Sequence, residues 1–158
     1  MASAKPAGKA PRFSVPTTGG DFRLGDQGRE NLVVYFYPRD NTPGCTLEGA
    51  DFRDLAASFR RAGTRILGIS TDTLESHRRF REKMKFPFDL GADEDHAVAS
   101  RFGVWKQKNM YGRKLMGIER STFLIDGTGV LRAEWRGLTV AGHVDEVLKA
   151  VKAIKKSG

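Results

Sequence analysis

The 158-residue chain has one cysteine, three histidines and no long apolar run. A single cysteine excludes an intramolecular disulfide framework and any Cys-x-x-Cys redox pair. It points to a reducing compartment, the cytoplasm. No stretch approaches the ~18 consecutive apolar residues of a membrane helix. The longest apolar block, LVVYFY at 32–37, has the length of a buried strand. The beginning, MASAKPAGKAP, lacks the apolar core of a secretory signal. It reads as a flexible arm over 1–10, leaving 11–156 as one domain. His77, His96 and His143 lie singly, without the spacing of a metal site, and are assigned to capping or packing. GADED and GTG read as turns rather than phosphate cradles, so neither a metal nor a cofactor is expected.

Charge is plentiful but unbalanced. Twenty-seven Lys and Arg against 19 Asp and Glu give a formal +8. Such a surplus invites a nucleic-acid reading. However, the cations are scattered over several helices (Arg78, Arg79, Arg81, Lys83, Lys85) and the C-terminus (Lys152, Lys155, Lys156), as on solvated helix faces. No basic-aromatic motif accompanies them. The expectation is neither a nucleic-acid nor a membrane partner.

Hydrophobic periodicity orders the elements. PRFSVPTTGGDFRLGD (11–26) reads as a small hairpin about Gly19-Gly20. NLVVYFYP (31–38) is a central strand ending at Pro38, and a helix follows from about Thr42 to Arg61 with Phe52, Leu55, Ala56 and Phe59 on its core face. GTRILGIST (63–71) is a second strand, and Asp72 or Thr73 caps the next helix. A short strand or extended loop (86–93), a short helix stopped by Gly103 and an irregular loop over 106–117 come next. The strands 120–126 and 130–136 form a hairpin, and Val144, Val147, Leu148, Val151 and Ile154 give a final helix one apolar stripe. This order predicts an α/β fold, a thioredoxin-like sandwich with a central mixed sheet flanked by helices and an added N-terminal hairpin. A flavodoxin-like doubly wound sheet is the alternative, and the late hairpin argues against it.

The lone thiol is placed where chemistry is common. Ligands of open α/β sheets bind beyond the carboxyl ends of strands, and Cys45 follows such an end in PRDNTPGC (38–45). Thr42 suits the N-cap and Pro43 the first helical position, which puts Cys45 in the first turn. Unpaired backbone N–H groups and the helix dipole favour a thiolate there, and Gly44 leaves the sulfur open to approach. On composition alone a lone cysteine is a buried packing residue; the Thr-Pro-Gly-Cys start after a buried strand reverses that reading.

Pro38, Thr42 and Cys45 match the Pro-x-x-x-Thr-x-x-Cys motif, and FYPRDNTPGCTLEG, NMYGRKLMGIERSTFLID and VAGHVDEVL are similar to the peroxiredoxin Q, or bacterioferritin comigratory protein, subfamily of peroxiredoxins. The resemblance runs from about Ala10 to Ile154. It implies a thiol peroxidase acting on hydrogen peroxide and organic hydroperoxides in antioxidant defence. Cys45 would be the peroxidatic cysteine, Thr42 would hydrogen-bond the peroxide, Pro38 would shield the sulfur, and Arg120 would hold the thiolate and the charge on the leaving oxygen. Glu48, at i+3 from Cys45, would orient Arg120; a plain first-turn glutamate fits the same position. Trp135 and Tyr37 read as core or pocket wall.

The resemblance breaks at the second cysteine. Members of the subfamily carry a resolving cysteine five residues after the first, here Ala50, or on the following helix, here about Arg81. Five residues along a helix is ~7.5 Å of rise, beyond the ~7 Å Cα limit of a disulfide, so members with that pair must unwind the helix. Without it, this chain is expected to pass its sulfenic acid to an external thiol (thioredoxin, glutaredoxin or glutathione) with the helix intact, and as a monomer rather than a homodimer. The rival from another class is a peroxide sensor or holdase chaperone using the same cysteine.

Overall fold

The computed structural model describes residues 2–3 and 8–157. The elements run β1 (Ala2–Ser3), β2 (Ser14–Thr17), β3 (Gly20–Arg23), β4 (Asn31–Phe36), α1 (Pro43–Asp54), α2 (Ala56–Arg61), β5 (Thr64–Ser70), α3 (Leu74–Met84), β6 (Asp89–Ala92), α4 (Ala97–Arg101), β7 (Trp105–Met110), β8 (Arg113–Ile118), β9 (Ser121–Ile125), β10 (Leu131–Arg136) and α5 (His143–Ser157). One sheet has the order β1-β10-β9-β4-β5-β6-β2-β3. Its centre, β4-β5-β6, is parallel, while β9, β10 and the β2–β3 hairpin join antiparallel. This is the thioredoxin-like sandwich with its N-terminal hairpin added at one edge, through Thr17 opposite Gly91. No helix among the described residues is long and apolar enough to cross a membrane.

The apolar run of β4 is continuous because both of its faces are covered. Val33, Tyr35 and Tyr37 pack with Phe52, Phe59, Phe80, Val144 and Val147, from the helices α1, α2, α3 and α5. Leu32, Val34 and Phe36 face the other way, onto Val98, Phe102 and the hairpin residues Phe13, Val15 and Phe22. A strand in this position must lose its neighbours at its carboxyl end, and the functional loop begins there.

Three details differ from the sequence reading. The helix expected over 42–61 is two helices with a one-residue break at Leu55, across which the hydrogen bonding continues from Leu55 N–H to Asp51 and from Phe59 N–H to Leu55. The irregular loop expected over 106–117 is the β7–β8 hairpin, closed by Tyr111 and Gly112 at φ 53° and 77°, a two-residue turn that matches strand twist. It stands apart from the main sheet, and most of its described side chains are exposed, with Ile118 buried and Trp105 partly covered at its base, so it carries too little alternation to read. Within the arm expected over 1–10, Ala2 and Ser3 pair with Trp135 and Glu134, Lys9 bridges Val130 and Ala10 is buried. Those residues belong to the folded body; residues 1 and 4–7 lie outside the described residues.

Candidate active site

Tyr37 extends the β4 ladder by donating its N–H to Ile69 at 3.0 Å, and half-buried Pro38, which has no N–H to give, ends it. The chain turns at Asn41, φ 63°, a left-handed conformation that asparagine tolerates better than most residues. Thr42 is extended again and takes the N-cap position of α1, with Pro43 at its start. The Thr42 side chain makes no capping bond. Its hydroxyl donates instead to the Arg39 carbonyl at 2.9 Å, which spends its proton and leaves its lone pairs free to accept. The cap position read from the sequence is right, and the side-chain role is corrected. The first-turn N–H groups, with no capping side chain, remain directed at whatever lies beside Cys45.

Cys45 is only 2% exposed, so the freely approachable thiol of the sequence reading becomes a recessed one. Across 75 residues of chain, Arg120 reaches it. The antiparallel pairing of β9 with β4 sets Ser121 opposite Phe36, so the residue just before β9 lies at the carboxyl end of β4. From there the Arg120 Nη2 donates to Cys45 Sγ at 3.3 Å and the Nη1 to Glu48 Oε1 at 2.6 Å. One planar fork thus holds sulfur and carboxylate together. Gly44 also has a different use from the one expected, since a Cβ there would stand 3.1 Å from Arg120 Nη2. The glycine makes room for the guanidinium.

Glu48 is wholly buried, and its second oxygen has no hydrogen-bond partner among the described residues. Burial pushes its pKa up to about 7, against the downward pull of Arg120. The guanidinium responds in kind: burial alone would loosen its proton, but the charges of Glu48 and Cys45 hold it more tightly. Tyr35, stacked on Phe52 with ring centroids 4.5 Å apart, is a neighbour the sequence reading did not single out. Burial, with the charges of Glu48 and Cys45 adding to it, holds its phenol well above the usual range, and its buried hydroxyl too has no hydrogen-bond partner among the described residues. Its place as the middle residue of an apolar strand concealed it. Trp135 and Tyr37 are buried core residues as expected, as is His143 beside Trp135.

The positions of the missing second cysteine have other uses. Ala50 sits in the continuous helix α1, and Arg81 on α3 donates its Nε–H to the Phe88 carbonyl at 2.9 Å.

A recessed thiol held by a guanidinium at a helix start is an arrangement for nucleophilic sulfur chemistry, and comparison with known proteins gives it a family. The AhpC/TSA family matches residues 6–134. Peroxiredoxin Bcp of Bacillus subtilis is 46% identical over 145 residues, covering 91% of this chain and 92% of that protein. The chain belongs to the peroxiredoxins of the AhpC/TSA family. Within them it falls with the Bcp/Q proteins: Peroxiredoxin Bcp of Xanthomonas campestris is 52% identical over 125 residues, covering 79% of this chain and 78% of that one. The solved structure of Xanthomonas campestris Peroxiredoxin Q superposes with a TM-score of 0.86 at 46% identity, over 90% of this chain and 91% of that one. Another structure of the Xanthomonas campestris Bacterioferritin Comigratory Protein, described in terms of its alkyl peroxide reduction activity, matches with the same TM-score of 0.86 and covers 90% of this peroxiredoxin and 92% of that chain.

Proposed function

We propose that this peroxiredoxin reduces hydrogen peroxide and alkyl hydroperoxides through Cys45 and that another molecule supplies the resolving thiol. The observation that carries the reading is the Arg120 fork on Cys45 Sγ and Glu48. A guanidinium there favours thiolate over thiol and stays in place for the charge that develops as the O–O bond breaks.

In the first step the Cys45 thiolate attacks the terminal oxygen of ROOH. The S–O bond forms, the O–O bond breaks, and RO⁻ leaves and takes up a proton as ROH. Sulfur is oxidised by two electrons and Cys45 becomes sulfenic acid. Thr42, its hydroxyl proton committed to the Arg39 carbonyl, accepts a hydrogen bond from the peroxide O–H. Pro38 walls the approach. Glu48 holds the orientation of Arg120. In the second step an external thiol R′SH condenses with the sulfenic acid, releasing water and leaving a mixed disulfide. A further thiol then displaces Cys45 and completes R′S–SR′ or its mixed equivalent. The chain contains no other cysteine, so both reducing thiols come from outside, from a small thiol or a thioredoxin- or glutaredoxin-type protein. The intact helix α1 is consistent with a cycle that needs no unwinding. The reading includes a monomer working in the cytoplasm, where such thiols are kept reduced.

Intact mass after one equivalent of peroxide tests the external route. A monomer heavier by one oxygen at Cys45, returned to its starting mass by added thiol with steady peroxide consumption, supports it. No change at Cys45 overturns it. A covalent dimer assigns resolution to a second copy, and oxidation without turnover assigns the cysteine to sensing.

A further inference from the structure

A second cluster of buried polar groups lies on the far side of the active-site turn, around Asp40 and His77. His77 is on α3, wholly buried, and both of its ring nitrogens meet acceptors. Nε2 is 2.9 Å from the Gly91 carbonyl of β6, and Nδ1 is 2.8 Å from Asp40 Oδ2. A carbonyl can only accept, so Nε2 carries a proton. The short contact between Nδ1 and Oδ2 requires one more proton between them, whichever atom holds it. The pair is therefore net neutral, which is what allows it to be buried.

Asp40 is bonded on every side. Its Oδ1 accepts from the Tyr37 hydroxyl at 2.6 Å, its Oδ2 also accepts from the Ser76 hydroxyl at 2.8 Å, and its N–H donates to Asp72 Oδ2 at 2.8 Å. Asp72 Oδ2 in turn accepts from Ser70 at 2.6 Å. Asp40, Asp72 and His77 come close enough to suggest a cation site, but the oxygens of Asp40 are already engaged by protein donors, and the cluster reads as a closed hydrogen-bonded network.

Its position gives it a use. Asp40 is flanked by Arg39, whose carbonyl takes the Thr42 hydroxyl proton, and by Asn41, whose φ of 63° is the costly point of the turn. Lys83 of α3 adds a bond to Asn41 Oδ1 at 3.1 Å. We propose that Asp40 and His77 are positioning residues: by tying the Arg39–Thr42 turn to α3 and β6 they hold the Thr42 hydroxyl where a peroxide oxygen must sit, without touching substrate or sulfur. This rests on the reading that Cys45 and Thr42 meet peroxide. It separates two properties of the site. The sulfur's nucleophilicity depends on α1 and Arg120, whereas the fit to a peroxide depends on the turn.

The test compares two electrophiles on the full chain: hydroperoxide, which needs Thr42, and iodoacetamide, which needs only the thiolate. In Asp40→Ala the second-order rate with peroxide falls by about tenfold or more, while alkylation of Cys45 changes by less than about threefold. Amide exchange at residue 40, whose N–H donates to Asp72 Oδ2, speeds up. Asp40→Asn restores the peroxide rate to within about threefold of the parent, because its Nδ2 can donate to a neutral His77 Nδ1 and to Ser76. Ser76→Ala removes a single donor and gives a two- to threefold loss in the same selective direction; it serves where Asp40→Ala does not fold. Equal losses with both electrophiles, or an unchanged peroxide rate in a folded variant, overturn the assignment. If the parent chain itself fails to consume peroxide, the proposed function falls, and unchanged exchange at the residue-40 amide in the variants would overturn the clamp independently.

Discussion

Two buried carboxylates flank the start of α1, and they are kept buried in opposite ways. Asp40 is surrounded by donors: a phenol, a serine hydroxyl and an imidazole. Among the described residues Glu48 has one partner, Arg120, on one oxygen and none on the other. A carboxylate bonded through both oxygens to three partners is an anchor, since moving it breaks several bonds at once. A buried carboxylate held by a single guanidinium has its ionisation finely balanced, and that of Glu48 is lifted to about 7 by burial against the pull of Arg120. The anchored group lies behind the turn, and the balanced one shares a guanidinium with the reacting sulfur. The contrast suggests that one carboxylate fixes geometry and the other couples to charge.

The largest effect separating the two is expected from the group that serves only one of them. Arg120→Ala removes the donor to Cys45 Sγ and the only hydrogen-bond partner of the Glu48 carboxylate among the described residues. The rate with peroxide should fall by about 10²- to 10³-fold, while the turn keeps the protection of the Asp40 amide, which donates to Asp72. Arg120→Lys supplies the charge without the two-pronged fork and should recover only part of the rate. Stopped-flow reduction of hydrogen peroxide, with hydrogen exchange alongside, checks both statements. Loss of protection in the turn would show that the two carboxylates are one network.

Stability should rank the carboxylates in the reverse order of their closeness to the sulfur. Asp40→Ala leaves His77, Tyr37 and Ser76 without their acceptor and should cost about 3 kcal/mol or more. Glu48→Gln keeps the shape, removes a charge that burial opposes, and should stay within about 1 kcal/mol at neutral pH. Urea midpoints at constant m decide this. A larger loss for Glu48→Gln would make Glu48 the anchor.

The same contrast marks how far the sequence could be read. The strand end at Pro38, the start of α1 and Cys45 lie within one short stretch, where local rules for strands and caps apply, and Arg120 followed from a matching block of the family. Glu48 could be placed by its i+3 spacing and by resemblance, and a glutamate on an exposed helix face has the same spacing; it stands past the first turn of α1, which holds no acidic residue, and is wholly buried because α1 packs against the sheet. Asp40 and His77 come from polar stretches separated by 37 residues, and nothing local distinguishes them from a loop aspartate and a packing histidine. The single cue was that His77 precedes Phe80 by three residues and so shares its inward face. The β7–β8 hairpin left no trace because Leu115 and Met116 are exposed and Tyr111 is 99% exposed, while Ile118 is buried only at its base; a ribbon covered at one end has no alternation to show.

Acid titration distinguishes a balanced group from an anchored one. Glu48 loses its proton near 4.5 in the unfolded chain and near 7 in the fold. Between these values the folded state binds more protons, so this group's contribution to stability falls as pH rises, by about 3 kcal/mol at most. His143, lowered from 6.5 to about 4 chiefly by burial and further by Arg120, acts in the opposite sense. There the unfolded chain binds more protons, and stability rises with pH over that window. In the parent chain the two slopes oppose each other. Glu48→Gln should therefore leave a stability that climbs from about pH 4 to about pH 6.5, and His143→Asn one that declines from about 4.5 to about 7. Denaturant midpoints taken across that range test the pair, and an unchanged profile in both variants would remove the case for a balanced Glu48.

The smallest expected effect is the most specific. A Cβ at Gly44 would come within 3.1 Å of Arg120 Nη2, close enough that the guanidinium must give way by a few tenths of an ångström. Alanine is otherwise the better residue near a helix start, lowering the entropy of the unfolded chain by about 0.4–1 kcal/mol where the backbone accepts it. Gly44→Ala should thus leave the protein as stable as the parent or slightly more so, while the reaction with peroxide slows by about three- to tenfold as Nη2 is displaced from the sulfur. Alkylation by iodoacetamide should slow in parallel, because this variant disturbs the charge beside the thiolate and not the turn behind it. That parallel loss is the opposite of the selective one expected at Asp40. If Gly44→Ala spared alkylation while slowing peroxide reduction, the division between a carboxylate that sets geometry and one that sets charge would no longer hold.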